Sequence, residues 1–157
     1  MGLTVAVGAV VVASLQGCAC TLAGCSTGAT VSIDVPDDVT IPDGSTVTAC
    51  FNDMCVSGAL PSPSAVLPGS GLGITFPPGS GLSGILWAPD VVVRDRVEVE
   101  WSFADDARLR TGDRYRATLI GPAGATIAMK QATVTSYITV EPNGSSCGPT
   151  CHHAQFP

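Results

Sequence analysis

Val97-Glu98-Val99-Glu100-Trp101-Ser102-Phe103 alternates apolar and polar side chains without a break. Successive side chains of a strand point to opposite faces, so this period of two describes a β-strand with one face buried. The same period recurs outward from it. Val31, Ile33 and Val35 alternate with Thr30, Ser32 and Asp34, and Tyr115, Ala117 and Leu119 alternate with Arg114, Arg116 and Thr118. Val134, Ile138 and Val140 are expected on one face, with Thr133, Thr135, Tyr137 and Thr139 on the other. Turn-forming groups separate these runs: Pro42-Asp43-Gly44, Gly112-Asp113, Gly121-Pro122-Ala123-Gly124 and Pro142-Asn143-Gly144. No window beyond the N-terminal segment carries a helical stripe. The expectation is an all-β domain over 30–157, a two-sheet antiparallel sandwich.

Composition narrows the function classes. The 157 residues are 45% hydrophobic and 13% charged, so the chain suits one packed domain and does not read as a charge-driven disordered one. Seven Lys and Arg stand against 13 Asp and Glu, a net charge of -6 that argues against nucleic acid as a partner. There is no nucleophile elbow, phosphate loop or placed carboxylate pair, and the only His residues, His152 and His153, sit at the chain end. A non-catalytic role without a cofactor is expected.

The charges are also unevenly placed. None occurs before Asp34, and Val5-Ala6-Val7-Gly8-Ala9-Val10-Val11-Val12-Ala13-Ser14-Leu15 is an unbroken run of small apolar residues, as in an export signal. Behind it, Leu22-Ala23-Gly24-Cys25 resembles the lipobox of bacterial lipoproteins. That resemblance implies a signal peptide over 1–24, a diacylglycerol thioether on Cys25 and acylation (palmitate) of the new amino terminus. A cell-membrane location facing the extracytoplasmic side follows, with the lipid bilayer as partner. Residues 25–29 would then be a short tether of roughly 15 Å. Leu15-Gln16-Gly17-Cys18 is a second tetrad of this type, ranked lower because Gln16 fits less well than Ala23.

Seven cysteines are present: Cys18, Cys20, Cys25, Cys50, Cys55, Cys147 and Cys151. Removing 1–24 and lipidating Cys25 leaves four, an even remainder that suits two disulfides in an exported chain, with three possible pairings. Local pairing is the simplest. Cys50-Phe51-Asn52-Asp53-Met54-Cys55 reads as a hairpin with Asn52-Asp53 as its turn, which sets Cys50 opposite Cys55. Cys147 and Cys151 would clip a C-terminal tail over 142–157. The alternative use of that tail is a metal carrier for copper or zinc, with Cys147, Cys151, His152 and His153 as ligands. The Cys-x3-Cys spacing is similar to that of Sco-type copper proteins, but their helical context is absent. Pro142-Asn143-Gly144 followed by two cysteines also resembles small uncharacterised actinobacterial lipoproteins.

Two further features complete the reading. Leu109-Arg110-Thr111-Gly112-Asp113-Arg114-Tyr115 resembles the tyrosine corner of immunoglobulin-like and fibronectin type III sandwiches, which implies an Ig-like arrangement with the Tyr115 hydroxyl bonded back to the corner. Residues 61–90 hold six Pro and six Gly and are expected to form a long connection, with short edge strands at Ile74-Thr75-Phe76 and Ile85-Leu86-Trp87. Such a connection is also a place for an envelope protein to bind.

Overall fold

The computed structural model describes residues 24–36, 38–60, 72–87, 96–104 and 106–157. The expected signal segment up to residue 23, and residues 61–71 and 88–90 of the expected partner-binding connection, lie outside the described residues. Ten strands among those described form two sheets: β1 (Thr27–Asp34), β2 (Thr46–Phe51), β3 (Met54–Ala59), β4 (Leu72–Thr75), β5 (Leu82–Trp87), β6 (Arg96–Phe103), β7 (Arg114–Ile120), β8 (Thr126–Thr133), β9 (Ser136–Val140) and β10 (Cys151–Gln155). One sheet has the order β4-β5-β6-β1-β10-β9 and the other β3-β2-β7-β8. Apart from the parallel contact of β1 with β10, neighbouring strands run antiparallel. The all-β, two-sheet expectation holds.

The core lies where the period-two faces meet. From the six-stranded sheet come Ala29, Val31, Ile33, Val97, Val99, Trp101 and Phe103, and from the four-stranded sheet Val47, Ala49, Phe51, Tyr115, Ala117 and Leu119. Trp101 and Tyr115 are both 0% exposed and meet edge to face at 5.2 Å between ring centres. Burying rings of this size supplies much of the hydrophobic driving force, and the edge-to-face arrangement adds about 1 kcal/mol per pair. Gly28 on β1 is there for space, since a Cβ at this position would run into the Trp101 carbonyl oxygen.

Three expectations need correction. The run 133–140 is two strands in different sheets, β8 and β9. The chain crosses between them at Val134, where Gly112 N–H donates to the Val134 carbonyl at 2.9 Å and Val134 N–H donates to the Asp113 carbonyl at 2.8 Å. The crossing resets the alternation, so Val134 is buried, Ile138 is 46% exposed, and Tyr137 packs against the core.

Thr27–Ala29 is no tether either, because these residues are already paired with Trp101–Phe103 across β6. The end of the chain is likewise not a loose tail. β10 pairs with β9 over five residues and meets β1 at Gly28 and His153. Within 61–90, two short strands form where expected, with different bounds. β4 lies at the edge, but β5 is not an edge strand, since no Pro interrupts Leu82–Trp87 and it pairs with both β4 and β6.

Candidate functional site

The described sulfur framework joins the β2–β3 hairpin to itself and the start of β1 to the start of β10. Phe51 opposes Met54 and Cys50 opposes Cys55, with Asn52 in the turn at φ 52°, so the hairpin is as its sequence reads. The Cys50–Cys55 disulfide closes across it, its Cα atoms 4.0 Å apart. Cys50 is buried and Cys55 exposed, although both stand on the outer face of the four-stranded sheet. Cover comes from the next strand. Arg116 is paired with Cys50 across β7, and its guanidinium donates to Cys50 Sγ at 3.3 Å and to Cys55 Sγ at 3.7 Å.

The other expected bridge is replaced. Cys151 is bonded to Cys25, 126 residues away, with Cα atoms 6.1 Å apart. Cys147 is disulfide-bonded as well, so Cys147 and Cys151 do not pair with each other. The reason is the placement of β10: Cys151 opens this strand beside the start of β1, next to which Cys25 stands. His152 N–H donates to Thr27 Oγ1 at 3.1 Å, tying the same two segments. A sulfur joined to another sulfur has no valence left for a thioether, so the Cys25–Cys151 bridge and the lipid expected on Cys25 compete for one atom.

The bridges also bear on the metal-carrier reading. With Cys147 and Cys151 oxidised, neither offers a thiolate. His152 and His153 are consecutive in a strand, and His152 Nε2 lies 3.1 Å from Asp106 Oδ2. No group of three or more His, Cys, Asp or Glu among the described residues is placed to hold a metal ion.

A polar hub that sequence reasoning missed ties the two sheets at one end. Asp113, 6% exposed, accepts from Arg110 N–H at 2.7 Å, from Asn52 Nδ2 at 3.1 Å and from the Tyr137 hydroxyl at 3.0 Å. The Tyr115 hydroxyl lies 3.0 Å from that of Tyr137. Because Tyr137 gives its proton to Asp113, Tyr115 donates to Tyr137. The corner is thus closed through a relay, Tyr115 to Tyr137 to Asp113, and not by a direct bond from Tyr115 to the backbone. Asn52 returns the connection by accepting from Arg114 N–H at 2.9 Å. The one signal available in the sequence was Gly112-Asp113 ahead of Tyr115, which reads as turn chemistry alone.

Burial, first of all, holds both phenols well above the ordinary tyrosine range, and the nearby Asp113 carboxylate pushes in the same direction. A raised phenol favours the fold while it stays protonated. Stability is therefore intact below about pH 10 and falls above it, by up to about 1.4 kcal/mol per pH unit for one tyrosine. Denaturant midpoints compared at pH 9 and pH 11 should show the fall, and Tyr115→Phe should flatten the slope. An unchanged slope would mean that Tyr115 ionises as freely as in the unfolded chain.

Charged side chains pair in both sheets. Arg96 meets Asp34 across β1 and β6 at 3.1 Å, while Arg114 meets Asp53 at 3.2 Å in the other sheet. All four side chains are half or more exposed, so each pair adds under about 1 kcal/mol.

The surface also carries concave features. A groove of about 490 Å³ is lined by residues of β1 (Thr30, Val31, Ser32, Asp34) and of β8 (130–133), with Phe156 and Pro157. A smaller polar cup of about 190 Å³ lies over the Cys50–Cys55 bridge. A third feature, of about 410 Å³, is lined by residues 76–83 and 102–104. Comparison of the chain with known protein families, curated proteins and solved structures finds no match.

Proposed function

We propose that this chain is an exported lipoprotein whose β-sandwich has a non-catalytic binding or structural role at the cell envelope. The observation that carries the reading is the covalent tie of Cys25 to Cys151 across the ends of the described chain, beside a second bridge at Cys50–Cys55. Bridges of this kind persist in oxidising, extracytoplasmic compartments.

The same bridge favours a different anchor. With Cys25 occupied, the lipid falls to Cys18 in Leu15-Gln16-Gly17-Cys18, which follows directly on the apolar run ending at Leu15. The arithmetic is compatible with this placement: one lipidated sulfur out of seven leaves six, an even number. Acyl chains worth about 0.8 kcal/mol per buried methylene hold a doubly or triply acylated cysteine firmly in a bilayer. The groove of about 490 Å³ lined by β1 and β8 is a place for a binding role.

Fractionation of cells making single variants tests the reading. Cys18→Ala should move the protein from the detergent-soluble membrane fraction to the soluble exported fraction, while Cys25→Ala should leave it in the membrane. Release by Cys25→Ala with retention of Cys18→Ala would return the anchor to Cys25, and retention of both variants would argue against lipidation.

A further inference from the structure

We propose that the Cys50–Cys55 disulfide is a thiol–disulfide exchange site that takes electrons from a dithiol partner, with Arg116 as its positioning residue. The inference rests on neither the membrane anchor nor the Cys25–Cys151 bridge. Three observations converge on it. The two sulfurs differ in access, with Cys55 exposed and Cys50 1% exposed, so an incoming thiolate reaches one of them only. Cys55, Asn52, Asp53, Arg114, Arg116 and Gln131 line a cup of about 190 Å³ that gives the approach a defined floor. The Arg116 guanidinium lies closer to the buried sulfur, 3.3 Å from Cys50 against 3.7 Å from Cys55.

That asymmetry suits displacement at sulfur. A thiolate of the dithiol attacks Cys55 Sγ, and a sulfur–sulfur bond forms there as the Cys50–Cys55 bond breaks. The displaced electron pair leaves on Cys50 Sγ as a thiolate, already in contact with a cation, and a better-stabilised leaving thiolate departs faster. The second thiolate of the reductant then attacks its own sulfur in the mixed disulfide, closing the reductant's disulfide and releasing Cys55 as a thiolate. Two electrons pass from the dithiol to the protein, and the two protons given up by the dithiol balance those taken by Cys50 and Cys55 on protonation. The neighbours support the site: Cys55, Cys50, Arg116 and Gln131 form one row across β3, β2, β7 and β8, so backbone pairing holds the guanidinium over the bridge.

The test uses the oxidised full chain, limiting dithiothreitol or glutathione, alkylation at timed intervals and peptide mass analysis. Cys50 and Cys55 should be alkylated while the Cys25–Cys151 peptide stays linked, and the glutathione adduct should map to Cys55. Arg116→Gln should slow opening by about fivefold to tenfold, and Arg116→Lys should restore most of the rate. Matching thermal midpoints for the variants would separate this effect from unfolding. An adduct on Cys50, equal opening of both bridges, or an Arg116→Gln rate equal to that of the parent would each overturn the proposal and leave the bridge as a hairpin staple.

Discussion

In a Cys147→Ser background, where no second C-terminal bridge shares the constraint, replacing Cys25 and Cys151 with Ser should lower the unfolding free energy by about 5 kcal/mol. The two cysteines are 126 residues apart, and in the chain-entropy model the gain from a cross-link grows with the logarithm of the loop that it closes. Replacing Cys50 and Cys55, five apart, should cost only about 2 kcal/mol by the same model. For a domain of ordinary stability, the first loss is a large share of the total. It should also be local in its first effect. Hydrogen exchange should rise in β1 and β10, which the ladder joins only at Gly28 and His153. Denaturant titration of the two double variants checks the contrast, and equal losses would contradict it.

The second large effect is expected at the hub. Asp113→Ala removes one carboxylate and leaves three donors, Arg110 N–H, Asn52 Nδ2 and the Tyr137 hydroxyl, without their acceptor in a half-dry site. A hydrogen bond to a charged group is worth about 1.5–3 kcal/mol, and an orphaned buried donor adds its own desolvation cost. Water reaches some of these groups, so the contributions do not sum in full, and a loss of about 3–4 kcal/mol is expected. Tyr137→Phe leaves Asp113 its other two donors but takes away the acceptor of the buried Tyr115 hydroxyl, and should cost about 2 kcal/mol. Thermal or denaturant unfolding of both variants measures the difference. Similar losses for the two would mean that Asp113 is not the hub.

What was legible in the sequence was whatever is local and periodic. Val97 to Phe103 and Tyr115 to Leu119 show their buried faces as they stand, because a strand that stays in one sheet keeps its phase. The hairpin at Asn52-Asp53 was legible down to the pairing of its cysteines, since a two-residue turn sets the register. Ile138 was placed on the wrong face because the crossing at Val134 is a tertiary event without a Gly or Pro to mark it. β10 was missed because Cys151-His152-His153-Ala154-Gln155 has no β-branched residue and no alternation, and its place between β1 and β9 comes from its neighbours. The pairing of Cys25 with Cys151 follows from that placement. Spacing therefore carried no trace of it, and the likeness of Leu22–Cys25 to a lipobox points to a different chemistry for that sulfur.

The hub shows the same limit from another side. Asn52, Asp113 and Tyr137 belong to three separate segments, and each is an unremarkable turn or strand residue by itself. Only the crossing of the chain between the sheets brings them to one carboxylate.

The state of the Cys25 sulfur is the most direct check on the whole account. Protein extracted from membranes with detergent, digested without reduction and analysed by mass, should yield a peptide pair linked through Cys25 and Cys151, with any acyl mass confined to a fragment that starts at Cys18. An acylated fragment beginning at Cys25, with Cys151 joined elsewhere, would contradict it.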